Sequence, residues 1–434
     1  MTAITKDINS EIIEAFQQQH FEVALESRAQ AIEYFQKKGL PSTKQEEYRF
    51  TPLTRALEKN FAWNKLTTSS TLVSVQEYLI PDLNANVVVM INGVYSSSLS
   101  RIISPSNEVI ITSLKDAFQS HKDIVETYFN KVYSAEQDVF AALNTALWRE
   151  GVFIYVPEGS TVEIPVLVLH INEASDQPQI NHTRILGVLE KGSQLSVIEK
   201  SDSIGKQPVF HNFTEEWVVS EKAHLEYCKI QNDENNHYQI TNTVIHQHST
   251  SLLNTFTLTL AGQLIRNNLN IIIDGEHCES HFYGLYLLNG NTLADNHTVV
   301  DHRKPNSFSN ELYKGIMDGN SKGVFNGKIF VRPHAQKTNA FQSNRNILVS
   351  DHASVNTKPQ LEIWADDVKC SHGCTSGQLD EEAMFYLRSR GISAPTAQAM
   401  LLYAFAREVL TPIQNESLKS YLDQLIAERL HKNF

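Results

Sequence analysis

The stretch Thr255-Phe256-Thr257-Leu258-Thr259-Leu260 alternates threonine with an apolar residue at every step. Successive side chains of a β-strand point to opposite faces, so a strict period of two is the mark of a half-buried strand. Similar β-type runs recur on both sides, at 166–171, 186–189, 194–198, 217–219, 225–230, 269–273, 282–288, 324–331 and 347–349. Turn signals separate them: Asp274-Gly275, Asn289-Gly290, Asp318-Gly319 and Asn326-Gly327. No long helical pattern interrupts these runs, which excludes an alternating βαβ architecture and leaves a sandwich, a barrel or a solenoid. No exact repeat is visible to choose among them.

Helical patterns flank the β region. Ile12, Ile13, Phe16 and His20 share a helical face, followed by Val23, Ala24, Ala31, Tyr34 and Phe35. Gly39-Leu40-Pro41 ends that run. Ser42 or Thr43 is placed to cap a short helix with Glu46 and Glu47 in its first turn. Residues 86–91 read as a strand and 114–148 as helices again. Past Gly377, Asp380, Ser393 and Asn415 are candidate caps of three helices. The last carries Leu418, Tyr421, Leu422, Leu425, Ile426 and Leu430 on one stripe, to pack on the β core or to dock a partner. The expected organisation is a mainly helical region at 1–150, a β core at 151–377 and a helical region at 378–434.

The 434 residues carry a formal charge of −12, with 41% hydrophobic and 20% charged residues. That argues against a nucleic-acid partner, which leaves a basic footprint. No apolar run is long enough to span a bilayer. The N-terminal residues lack an apolar signal core, so a cytoplasmic protein is expected. Four cysteines, Cys228, Cys278, Cys370 and Cys374, are too few for a disulfide scaffold.

The densest chemistry lies in Lys369-Cys370-Ser371-His372-Gly373-Cys374. Two thiols and an imidazole are soft or borderline ligands suited to iron, zinc or copper(I). In an extended segment all three line one face. Ten of the 17 histidines lie between His237 and His372. His246 and His248 share a strand face, His277 and His281 flank Cys278, and Asp295, His297, Asp301 and His302 cluster. A zinc or iron site is within reach of such parts, although solvated or turn-bonded histidines are the commoner outcome.

The order of motifs then becomes informative. Lys322-Gly323-Val324-Phe325-Asn326-Gly327-Lys328-Ile329 precedes Ala335-Gln336-Lys337-Thr338, Asn344-Arg345-Asn346, Lys358-Pro359-Gln360-Leu361-Glu362-Ile363 and the Cys-Ser-His-Gly segment. Gly377-Gln378-Leu379-Asp380-Glu381-Glu382-Ala383-Met384 follows. With Gly39-Leu40-Pro41-Ser42-Thr43-Lys44-Gln45-Glu46-Glu47-Tyr48-Arg49-Phe50, the succession resembles the SufB/SufD family of iron–sulfur cluster assembly proteins, most like its SufD branch. The resemblance implies a mainly β fold, with a right-handed parallel β-helix between helical ends. It implies a scaffold subunit that pairs with a SufB-like chain and binds a SufC-like ABC ATPase through the C-terminal helices. A homodimer of the isolated chain is also allowed. Cys370 and His372 match family positions, with His372 implicated at the subunit interface in iron entry or nascent cluster formation. The cluster or iron is held there transiently. Cys374 departs from the family pattern and reads as a passenger. Flavin associates with complexes of this family, but no residue here locates it.

Enzyme signatures are missing. Lys328 is followed by Ile329, so no Walker A loop exists, and no Gly-x-Gly-x-x-Gly opens a helix. The cysteine spacing lacks a ferredoxin pattern. A non-catalytic assembly subunit is therefore expected. A β-helical polysaccharide-active enzyme and a zinc-dependent hydrolase using the histidine clusters are the alternatives.

Overall fold

The alternating hexapeptide lies in the strand Leu252–Ala261, which pairs in parallel with His224–Asn232 on one side and Glu279–Leu288 on the other. A computed structural model describes residues 7–63, 72–233 and 236–433. Residues 1–6, on which the reading against an apolar leader rests, lie outside that range. From Glu150–Val156 to Lys369–Gly377 the chain winds into a parallel β-solenoid, a β-helix of about eight turns. Each turn gives one strand to each of two long sheets. Leu264 lies opposite Leu293, which lies opposite Lys322, which lies opposite Ser354. The step is uneven, 26 residues from Gln239 to Ile265 and 32 from Lys322 to Ser354. That drift hides the repeat from a search for a fixed period.

Interior columns hold the turns together. One runs through Ile154, Gly187, Trp217, Ile245, Ile271, Val300 and Ile329 on successive turns. All but the glycine belong to the buried inner core. Each such side chain contributes roughly 1.5–3 kcal/mol on burial. Gly187 is required by its neighbour: a Cβ there would lie 2.0 Å from Cε3 of Trp217.

The reading of a half-buried strand at 255–260 is corrected. Thr255 pairs with Tyr227 and Phe282, both members of the inner core, so Thr255, Thr257 and Thr259 face the interior. Thr259 Oγ1 donates to Gln231 Oε1 there at 2.6 Å. Phe256, Leu258 and Leu260 instead face outward, in a second core with the C-terminal helices. The alternation is genuine, but both faces of the strand are covered.

Helices clothe both outer faces. Ile8–Gln17, Leu25–Lys38 and Val139–Leu147 pack with Phe210, Ile240 and Leu264 of one sheet. The first helix stops short of His20, which sits in the break before the second. Glu46–Tyr48 is a single 3-10 turn preceded by Gln45, so Ser42 and Thr43 are not its caps. At the other end the caps are as read. Asp380 accepts from the amides of Glu382 and Ala383, Ser393 from that of Thr396, and Asn415 from that of Leu418.

The three C-terminal helices divide in role. In Glu416–Asn433, Leu418, Leu422, Ile426 and Leu430 are buried against Leu169, Ile230, Leu258 and Leu287 of the other sheet. Ala394–Arg407 adds Leu402 and Ala406 to that core. The apolar stripe thus packs mainly on the chain's own sheet. Glu381–Ser389 buries no residue, and its Phe385 and Tyr386 are 75% and 57% exposed. Among the described residues no helix is long and apolar enough to cross a membrane.

Candidate functional site

Lys369–Gly377 is the last strand of its sheet. It pairs with Asn339–Leu348 on one side, and among the described residues no strand follows it on the other. Cys370 lies opposite Ala340, His372 opposite Gln342 and Cys374 opposite Asn344. Ala340 belongs to the inner core and Cys370 packs against that core, so the row faces the solenoid interior. Neither this strand nor Ser354–Ile363 of the same turn contains a fully buried residue. The interior therefore opens to solvent at this end, with Cys370, His372 and Cys374 at its mouth.

Strand geometry limits what the row can hold. At about 3.3 Å per residue, Cys370 and Cys374 stand roughly 13 Å apart along the strand, beyond the reach of one ion. A neighbouring pair is separated by only about 6.6 Å, within chelating range. Among the described residues no group of three or more His, Cys, Asp and Glu side chains converges as a metal site. This strand can supply two ligands of a shell and leaves the others to come from elsewhere.

The three side chains differ in surroundings. Cys370 is half-buried, and burial raises its pKa and favours the thiol, with the Ala340 backbone opposing weakly. Cys374 Sγ lies 2.6 Å from Thr357 Oγ1 and reaches Asn344 Oδ1 at 3.9 Å. Its sulfur is engaged by its own turn and the one behind. His372 is exposed.

Behind the row runs a polar interior that the sequence reading did not find. Gln342 Nε2 donates to Glu311 Oε2 at 2.7 Å, and burial pushes the Glu311 carboxyl up to about 7. Asn344 Nδ2 donates to Tyr286 Oη at 3.0 Å. Deeper in, Lys229 Nζ donates to Glu215 at 2.7 and 2.9 Å and lies 3.5 Å from Glu199. The available signal was registration alone: Glu311, Gln342 and His372 are successive members of one column.

The other histidine groups have structural employment. His297 lies between Asp295, at 2.9 Å, and Glu47, at 3.3 Å, while Arg266 Nη1 donates to Asp295 at 2.7 Å. These contacts fasten the segment around Glu47 to the sheet. The hydrogen bond from His297 is the main cause that lowers the Glu47 pKa to about 2. His246 and His248 lie with tilted rings, centroids 4.7 Å apart, and His246 reaches Asp274 at 3.4 Å. His302 shares a 2.9 Å hydrogen bond with Ser309. Cys278 is buried and donates to the His248 carbonyl at 3.1 Å.

Comparison with known families settles the broader identity. Residues 170–405 match the family model described as the SufBD core domain of SUF system iron–sulfur cluster assembly, and residues 6–168 match the SufBD N-terminal region. The chain belongs to the SufBD family. It is similar to the iron–sulfur cluster assembly protein SufD of Escherichia coli, at 32% identity over 92% of each chain. It is also similar to a SufBD family protein of Synechocystis, at 30% identity over 90% of this chain and 87% of the relative. SufD of Bacillus subtilis is 27% identical over 99% of this chain and 100% of its own. This SufBD chain thus has the β-helix and flanking helices that its motif order implied.

Proposed function

We propose that this SufBD chain is a non-catalytic scaffold subunit that joins a SufB-like chain and a SufC-like ATPase to build nascent iron–sulfur clusters. The observation that carries this reading is the open last turn. A row of thiol, imidazole and thiol faces the uncapped interior on a strand with one unpaired edge. An unpaired edge is a ready template for another chain. A SufB-like subunit seated there completes the ligand shell that this strand leaves partial. His372 and Cys370 are the ligands contributed from this side, to incoming iron or to the cluster as transient cargo. Any flavin of the assembled complex is assigned to no residue of this chain.

The ATPase contact falls to Glu381–Ser389 and to neighbouring Met400, 47% exposed, because Leu402, Leu418, Leu422, Ile426 and Leu430 are consumed by the chain's own sheet. The sugar-active and zinc-hydrolase alternatives lose support, since the histidine groups are occupied in structural bonds and the family is one of cluster assembly.

The test is co-expression of His372→Ala with the SufB-like and SufC-like chains. The expected result is unchanged subunit stoichiometry with several-fold lower iron and sulfide content. Wild-type iron and sulfide in an intact complex would remove His372 from the cluster site.

A further inference from the structure

Exposed ligands are useful only when oriented, and a ligating histidine is normally held through its second ring nitrogen. Beside His372 in the preceding turn stands Gln342, and behind Gln342 stands Glu311. All three point into the interior, one turn apart, at the roughly 4.8 Å spacing of adjacent strands. Gln342 is 3% exposed and Glu311 1%. The amide donates through Nε2 to Glu311 Oε2 at 2.7 Å, so its nitrogen end is held by the turn behind. Its oxygen, Oε1, is buried and accepts no hydrogen bond. A buried acceptor left in that state costs about 1–3 kcal/mol, so a donor brought within reach of it is stabilised.

The amide is also fixed in place. Gly327, on the other strand of the same turn, has no side chain, and a Cβ there would fall 2.2 Å from Gln342 Nε2. The glycine creates the seat on which the amide rests. An amide so seated, with its N–H held from behind, has its carbonyl oxygen left for the next rung of the column. That rung is His372.

We propose that Gln342 is a positioning residue for His372: rotation of the exposed imidazole lets one ring N–H donate to the unpartnered amide oxygen, while Glu311 holds the amide from behind. One ring nitrogen is then pinned as the N–H, and the other presents its lone pair toward the mouth of the solenoid. This deepens the reading of His372 as a ligand and rests on it for its purpose. The arrangement itself is measurable on the isolated chain with no iron present.

The experiment is nitrogen-15 NMR of the imidazole of His372 in full-length protein labelled at histidine, assigned by comparison with His372→Ala, at a pH where the ring is neutral. The wild type should show one tautomer in excess. Gln342→Leu should shift the tautomer ratio by about fivefold or more toward that of a free imidazole, the worth of one ordinary hydrogen bond. The exchange variant, Glu311→Gln with Gln342→Glu, reverses the bond behind but still leaves an acceptor in front, and should restore the wild-type ratio. If Gln342→Leu does not fold, Gln342→Asn, one methylene shorter, takes its place. A mixed tautomer in the wild type, an unchanged ratio in a folded Gln342 variant, or failure of the exchange to restore it would overturn the proposal. Because no cluster is involved, a wild-type iron content in His372→Ala would sink the cluster role and leave this result standing.

Discussion

Lys229 donates to both carboxylate oxygens of Glu215, at 2.7 and 2.9 Å, inside the solenoid where both side chains are buried. Tyr227 Oη adds a 2.7 Å bond to the same carboxylate, and Glu199 approaches the ammonium at 3.5 Å. One cation thus serves two carboxylates. Burial first, and repulsion from Glu199 second, raise the pKa of Glu215. Lys229→Met strands both acids and should cost about 3–5 kcal/mol. Replacing Lys229, Glu215 and Glu199 together by apolar residues should recover most of that loss, as removal of a whole buried ion group is often neutral. Urea denaturation of the two variants checks this. Equal destabilisation of both would refute the account.

Glu311 gives a pH-dependent effect of defined sign. Its carboxyl titrates at about 7 in the fold, against about 4.3 in an unfolded chain. Between those values the unfolded chain ionises while the folded chain keeps its proton. The contribution of Glu311 to stability is therefore whole below pH 4 and falls as the pH rises to about 7. Glu311→Gln removes the dependence. Relative to wild type it should gain on the order of 3 kcal/mol at pH 8 compared with its difference at pH 4. Denaturant unfolding at both pH values measures the change, and a difference independent of pH would contradict it.

The C-terminal helices separate stability from docking. Leu422→Ala removes a fully buried side chain and should cost about 2–5 kcal/mol without affecting ATPase capture by the folded fraction. Phe385→Ser with Tyr386→Ser touches only exposed groups, so stability should stay within about 0.5 kcal/mol per site. That variant should nevertheless fail to capture a SufC-like ATPase in a pull-down. Full capture by it would place the contact elsewhere. Deleting residues 378–434 is the poorer experiment, because it would strip the cover from Leu169, Ile230 and Leu258.

The two thiols of the last strand should behave unequally. Cys370 adjoins His372 by two residues on the inward face, while Cys374 is bonded to Thr357 and Asn344. Cys370→Ala should lower the iron content of the co-expressed complex, though less than His372→Ala. Cys374→Ala should leave it within error of wild type. Iron and sulfide assays on complexes of verified stoichiometry decide the order, and a larger loss for Cys374→Ala would reverse it.

Local chemistry in the chain was enough to fix several elements. The period of two at 255–260 requires a strand, the missing helical signals across the middle exclude βαβ, and Asp380, Ser393 and Asn415 mark where helices begin, because capping depends on residues three or four apart. The same period placed Cys370, His372 and Cys374 on one face. Only the tertiary structure decided which face. Thr255, Thr257 and Thr259 point inward because both sides of the strand are covered, and the alternation does not reveal which cover lies inside the solenoid. The stripe at Leu418, Leu422, Ile426 and Leu430 fits its own sheet or a partner equally well until that sheet is seen beneath it. Strands such as Leu293–His302 and Ser354–Ile363 carried too many polar residues for periodicity to separate them from loops. The column of Glu311, Gln342 and His372 was beyond local reading for a further reason. Its members are brought together by turns of unequal length, and registration between distant strands is set by packing rather than by neighbouring residues.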